Sequence, residues 1–143
     1  MKSGFTLIET VLALAVVSLL LAIALPRFTA LKQGLQVEQA AQAIVAAHRR
    51  ARIAAVLHNR PAILSVAERS LRITLVGAGQ PHWAAPGPLE QGVAFLSPAR
   101  DLTFSPMGVT IGLSNASFRL GLGPAVRTVV VSRLGRVRIE RAP

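Results

Sequence analysis

The sequence predicts an α+β chain in which one long N-terminal helix leads into a small antiparallel β-sandwich-like domain. Three observations predict it. Phe5 to Leu25 is an apolar run of 21 residues carrying a single charge, Glu9. Beyond Pro26, apolar positions recur at helical spacing to about His58. After Pro61 the pattern changes to short runs that alternate every second residue, punctuated by Gly, Pro and Asn.

The elements follow in order. Met1-Lys2-Ser3-Gly4 is a short, polar, basic leader. As a helix, residues 5–25 reach about 30 Å, the thickness of a bilayer's hydrocarbon core. Lys2 and Arg27 mark its two ends, and Lys2 places the leader on the cytoplasmic side, with the remainder of the chain across the membrane. A secretory signal peptide has a similar basic start and apolar stretch, and Ala22-Ile23-Ala24 looks like its cleavage site. Glu9 argues against that reading. A carboxylate costs about 2.5–3.5 kcal/mol at mid-bilayer, less near the interface, and needs a reason to sit in an apolar run.

Pro26 lacks an N–H donor and is expected to bend or locally melt the helix. Residues 26–60 then form an amphipathic continuation. Leu31, Leu35, Ala41, Ile44, His48, Ala51 and Ala55 make its apolar stripe, and Asn59 and Pro61 end it. The β-rich domain spans 61–143. A hairpin is expected from Pro61–Ala67 and Ser70–Val76 around Glu68-Arg69, with Leu71, Ile73 and Leu75 on one face. Residues 77–92, rich in Gly and Pro, read as loop, with the single Trp, Trp83, packed over the sheet. Further strands are expected at Val93–Leu96, Leu102–Phe104, Val109–Leu113, Ser117–Leu120, Val126–Ser132 and Val137–Ile139. Gly108, Asn115, Gly121-Leu122-Gly123-Pro124 and Gly135 separate them.

Composition narrows the chemistry. The formal charge is +10, and fourteen of the sixteen basic residues are Arg, whose fork bonds planar anions. The absence of Cys excludes disulfides, Cys-ligated metals and thiol nucleophiles. His48, His58 and His82 lack metal-ligand spacing, and the six acids are too scattered for a catalytic carboxylate pair. The expectation is a non-enzyme with no metal and no cofactor.

Gly4-Phe5-Thr6-Leu7-Ile8-Glu9 resembles the class III signal of type IV prepilins and type II secretion pseudopilins. The resemblance implies that a prepilin peptidase cuts between Gly4 and Phe5 and that the new Phe5 amine is methylated. It also implies that Glu9 sets filament register by pairing with that amine on a neighbouring subunit. A helix-kinking Pro26 fits the same family. Three further stretches resemble the GspH/FimT family of minor pseudopilins and minor pilins: Ala51-Arg52-Ile53-Ala54-Ala55 leading through His58-Asn59-Arg60-Pro61, then Phe104-Ser105-Pro106-Met107-Gly108, then Val129 to Arg138. Some relatives carry cysteines that this chain lacks.

The resemblance implies a minor pseudopilin of the type II secretion system. Such a subunit sits in the inner membrane with its β-domain in the periplasm, assembles with other pseudopilins or pilins, and helps export folded exoprotein cargo. The alternative is a FimT-like minor pilin that binds DNA through a Gly-Arg-x-Arg motif, here Gly135-Arg136-Val137-Arg138, with Arg133 beside it. Residues 98–143 carry seven arginines and two acids. Two arginines two apart in a strand share a face and suit phosphate contacts without base readout.

Overall fold

A computed structural model describes residues 6–112, 115–132 and 134–141. The chain divides into two compact units, Met1–Lys32 and Gln33–Pro143. One helix, α1 (Leu7–Leu57), contributes to both.

In the first unit the helix begins at a cap. Thr6 precedes the first helical residue, and its Oγ1 accepts a hydrogen bond from the Glu9 N–H at 3.3 Å. Thr6-Leu7-Ile8-Glu9 thus has the residue types and the forward bond of a capping box. The helix is long and apolar enough to cross a membrane, and none of its most apolar stretch is buried. Its few hydroxyls are satisfied within the helix: Thr10 donates to the Leu7 carbonyl at 2.8 Å and Ser18 to the Leu14 carbonyl at 2.8 Å. That is what an apolar solvent requires of them. Helical backbone runs unbroken through Pro26, so the local melting expected there does not occur.

Among the described residues the second unit holds the rest of α1 and nine strands. Val37, Ala40, Ala41, Ile44, Val45, Ala47, His48, Ala51, Ala54 and Ala55 are its buried helical positions. The expected stripe was therefore right from Ala41 to Ala55 but wrong at its start. Leu31 and Leu35 are exposed, and five smaller apolar residues share the core-facing side instead. Alanine makes the difference: it lets the helix backbone approach the sheets closely while offering little hydrophobic signal in the sequence. The helix ends with Asn59 in the left-handed region (φ 47°). The Arg60 N–H donates to the Ala55 carbonyl and the Asn59 N–H to the Val56 carbonyl, both at 3.2 Å, which is a Schellman cap.

All strand pairs are antiparallel. β1 (Ala62–Val66), β2 (Ser70–Leu75), β3 (Trp83–Pro86), β5 (Arg100–Phe104) and β6 (Thr110–Ile111) form one sheet in the order β3-β2-β1-β5-β6. β4 (Ala94–Phe95), β7 (Ala116–Leu122), β8 (Ala125–Val131) and β9 (Val137–Arg141) form the other, in the order β4-β7-β8-β9. The expected β1–β2 hairpin is present, with Leu71, Ile73 and Leu75 buried and Arg72 exposed opposite Ser65. Each sheet turns one face inward, and Leu64, Phe104, Phe118, Val129 and the helical residues join a single core.

Residues 77–92 are not the plain loop expected. They contain β3, which pairs with β2 through Ile73↔Trp83 and Ser70↔Pro86, followed by a 3-10 turn, Pro88–Gln91. Trp-Ala-Ala-Pro carries no alternation, so only the pairing reveals a strand. Gly87 permits it, because a Cβ there would fall 2.5 Å from the Glu68 carbonyl oxygen. Gly121 and Leu122, read as punctuation, lie inside β7; the turn to β8 is Gly123-Pro124 alone.

Candidate functional site

Gly4 and Phe5, the expected processing residues, and the basic Arg133 lie outside the described residues. Glu9 is described. It occupies the third helical position, exposed, its N–H held by Thr6 and its carboxylate without an ion-pair partner among the described residues. Helix capping fixes its backbone while leaving the charged group available. The sequence signal for the cap, Thr followed three residues later by Glu, was present and passed over.

At the other end of the chain, Gly135 closes the β8–β9 hairpin. Its φ is +74°, its N–H donates to the Ser132 carbonyl at 2.9 Å, and the Ser132 N–H donates to the Arg136 carbonyl at 2.8 Å. This glycine has a backbone role whatever the arginines do. Arg136 precedes β9 rather than lying in it, and Arg138 is in the strand; both are exposed. They line one concave surface with Val130, Ser132 and Leu134. Arg138 is already engaged, with its guanidinium 2.6 Å from the Glu140 carboxylate. In register, Arg138 faces Val130, and Glu140 faces Thr128.

Arg127, counted among the basic tail from sequence, turns elsewhere. Its Nε donates to Glu38 Oε2 at 2.9 Å, joining β8 to α1. The Arg127 guanidinium holds the Glu38 carboxyl below the usual carboxylate range, against the opposing effect of partial burial. Among the described residues His48 is the one buried polar side chain, 2% exposed, and neither ring nitrogen has a hydrogen-bond partner. It meets Phe104 edge-on at 5.0 Å between ring centroids. Burial, aided by the charges of Arg52 and Arg49, holds its pKa below that of a free imidazole.

The remaining grouping was invisible in sequence. His58 and His82, far apart in the chain, meet edge to face at 4.8 Å between centroids, and Arg50 lies 5.2 Å over the Trp83 ring. Among the described residues no three His, Asp or Glu side chains gather in a way that suits a metal ion.

The family model for the prokaryotic N-terminal methylation motif matches residues 1–25. Two crystal structures of the type IV minor pilin FimU from Pseudomonas aeruginosa strain PAO1 resemble about three quarters of this chain. The first has a TM-score of 0.57 at 20% identity, covering 72% of this chain and 91% of that one. The fold is pilin-like. The second crystal form agrees, with a TM-score of 0.57 at 22% identity over 75% of this chain and 88% of that one. Comparison with curated proteins returns no match. In a pilin-like chain the apolar helix with its methylation motif suits membrane anchoring. The exposed Leu7, Ile8, Leu12, Leu19 and Leu20 then suit a lipid surround rather than marking folding defects.

Proposed function

We propose that this chain is a minor pilin-type subunit, cut after Gly4 by a prepilin peptidase and held in the inner membrane by residues 5–25. Its β-domain faces the periplasm until the subunit is drawn into a helical filament. The observation that carries the reading is the methylation motif over residues 1–25 joined to a pilin-like fold. The subunit acts by packing, not by catalysis. In the membrane, the apolar helix is solvated by lipid; in a filament, neighbouring helices replace the lipid. Two buried charges then need each other. The Phe5 amine freed by cleavage and the Glu9 carboxylate of an adjacent subunit pair, which offsets the cost of desolvating both and fixes the axial step between subunits. The Thr6 cap supports this by presenting Glu9 at a set position in the first helical turn.

Between the two machines considered, the type IV pilus is favoured over the type II secretion pseudopilus, because the solved structures it resembles are type IV minor pilins. The test is a chromosomal deletion with tagged rescue. Loss of surface pili with normal secretion of folded exoproteins supports the pilus reading, and the reverse supports the pseudopilus. Absence of the processed chain from sheared filaments of either kind contradicts both. A DNA-contact role gains support from Arg136 and Arg138 on one exposed surface, reduced by the Glu140 pair. It predicts duplex binding that weakens with salt and is lost on joint replacement of the two arginines by Gln.

A further inference from the structure

The meeting of the helix end with β2 and β3 leaves a cleft of about 170 Å³ whose chemistry the filament role does not use. Its floor is apolar, made by Ala54 and Ile73, both buried, with the exposed Ile53 and Leu57 at the rim. Its polar wall is all nitrogen: Arg50, His58 and His82. The Arg50 guanidinium sits 5.2 Å over the Trp83 ring centroid, a contact that positions it without neutralising it. Only Arg127 and Arg138 are in ion pairs among the described residues, so Arg50 carries an uncompensated charge beside two imidazoles.

The same facts decide what fits. A cation is opposed by Arg50, and the two imidazoles have no third ligand among the described residues. A carboxylate meets a guanidinium edge and imidazole N–H donors at once. The volume lies below the roughly 300 Å³ at which drug-sized sites begin, so the cleft suits one or two side chains rather than a cofactor. The Ile53 and Leu57 side chains, 56% and 75% exposed, add an apolar contact beside the charged one. We infer that this cleft binds an acidic side chain flanked by a large apolar residue, presented by a partner protein. The chain's formal +10 charge favours the approach of such a segment. The inference is independent of cleavage after Gly4.

Trp83 is the only tryptophan in the chain and forms part of the cleft, so it reports occupancy directly. The full chain in neutral detergent is titrated with the blocked peptide Gly-Leu-Glu-Leu-Gly and with its Gly-Leu-Gln-Leu-Gly counterpart, following Trp83 fluorescence. The expected result is a saturable change with the glutamate peptide and about tenfold weaker binding of the glutamine peptide. Arg50→Met removes that preference, while Arg136→Gln, on a different surface, preserves it. In the unaltered protein the glutamate peptide also shifts the imidazole proton resonances of His58 and His82, a readout that needs no variant to fold. Equal binding of the two peptides, no saturable response, or equal loss in Arg136→Gln overturns the inference.

Discussion

Replacing His48 by Leu is expected to stabilise the β-domain. The imidazole is 2% exposed, and both its nitrogens lack partners among the described residues. A buried polar group left unsatisfied costs about 1–3 kcal/mol, which the substitution removes. It also removes the edge-on contact with Phe104 at 5.0 Å, worth about 0.5–1.5 kcal/mol. The difference leaves a net gain of about 1 kcal/mol, or roughly 4 °C in the melting temperature of a domain this size. The pH profile is the sharper signature. Burial lowers the folded-state pKa, so the unfolded chain binds a proton that the native chain resists. Stability is therefore complete above the free imidazole range near pH 6.5 and is lost as pH falls from there toward the folded pKa, at up to about 1.4 kcal/mol per pH unit. Thermal melts of the full chain in detergent, followed by near-ultraviolet circular dichroism from pH 8 to pH 5, measure both effects. The reasoning predicts a shallower fall for His48→Leu than for the parent. A variant less stable at pH 8, with an unchanged acid slope, would refute it.

Four other substitutions test three separate features. A double-mutant cycle on Glu38→Gln and Arg127→Met should give a coupling of about 1 kcal/mol at pH 7, since the pair is only partly exposed. Because Arg127 lowers the Glu38 pKa, that coupling is present above the ordinary carboxylate pKa and disappears as pH falls through the lower folded value. Gly135→Ala forces a Cβ into a left-handed φ and should cost about 1–2 kcal/mol in thermal stability without altering the charge of the surface around it. Gly87→Ala should cost about 1–3 kcal/mol, because the new Cβ meets the β1–β2 turn backbone at 2.5 Å. Faster amide exchange confined to β2 and β3 would locate that damage.

What could be read from the sequence was set by period and by chemistry that acts locally. Leu71, Ile73 and Leu75 alternate with Arg72 and Thr74, so β2 and its inward face are legible in the sequence. The end of α1 was readable for a similar reason, since Asn59 and Pro61 stop a helix by their own backbone preferences. Leu31 and Leu35 misled because size was taken as the mark of burial, whereas this helix packs through alanines. β3 was hidden because an edge strand with Ala84, Ala85 and Pro86 owes its conformation to β2 rather than to its own residues. The arginine-rich tail was legible as charge but not as pairing: Glu38 takes Arg127 from a distant helix, and Glu140 takes Arg138. His58 with His82, and Arg50 with Trp83, are tertiary contacts that no spacing rule reaches.

The measurement that bears most directly on the filament account is the intact mass of the membrane-extracted chain, expressed with and without a prepilin peptidase. The account predicts loss of Met1–Gly4 only when the peptidase is present, with a methyl group on the Phe5 amine where methylation is complete. A chain that stays uncut in both cases, or one cut near Ala24, would contradict it.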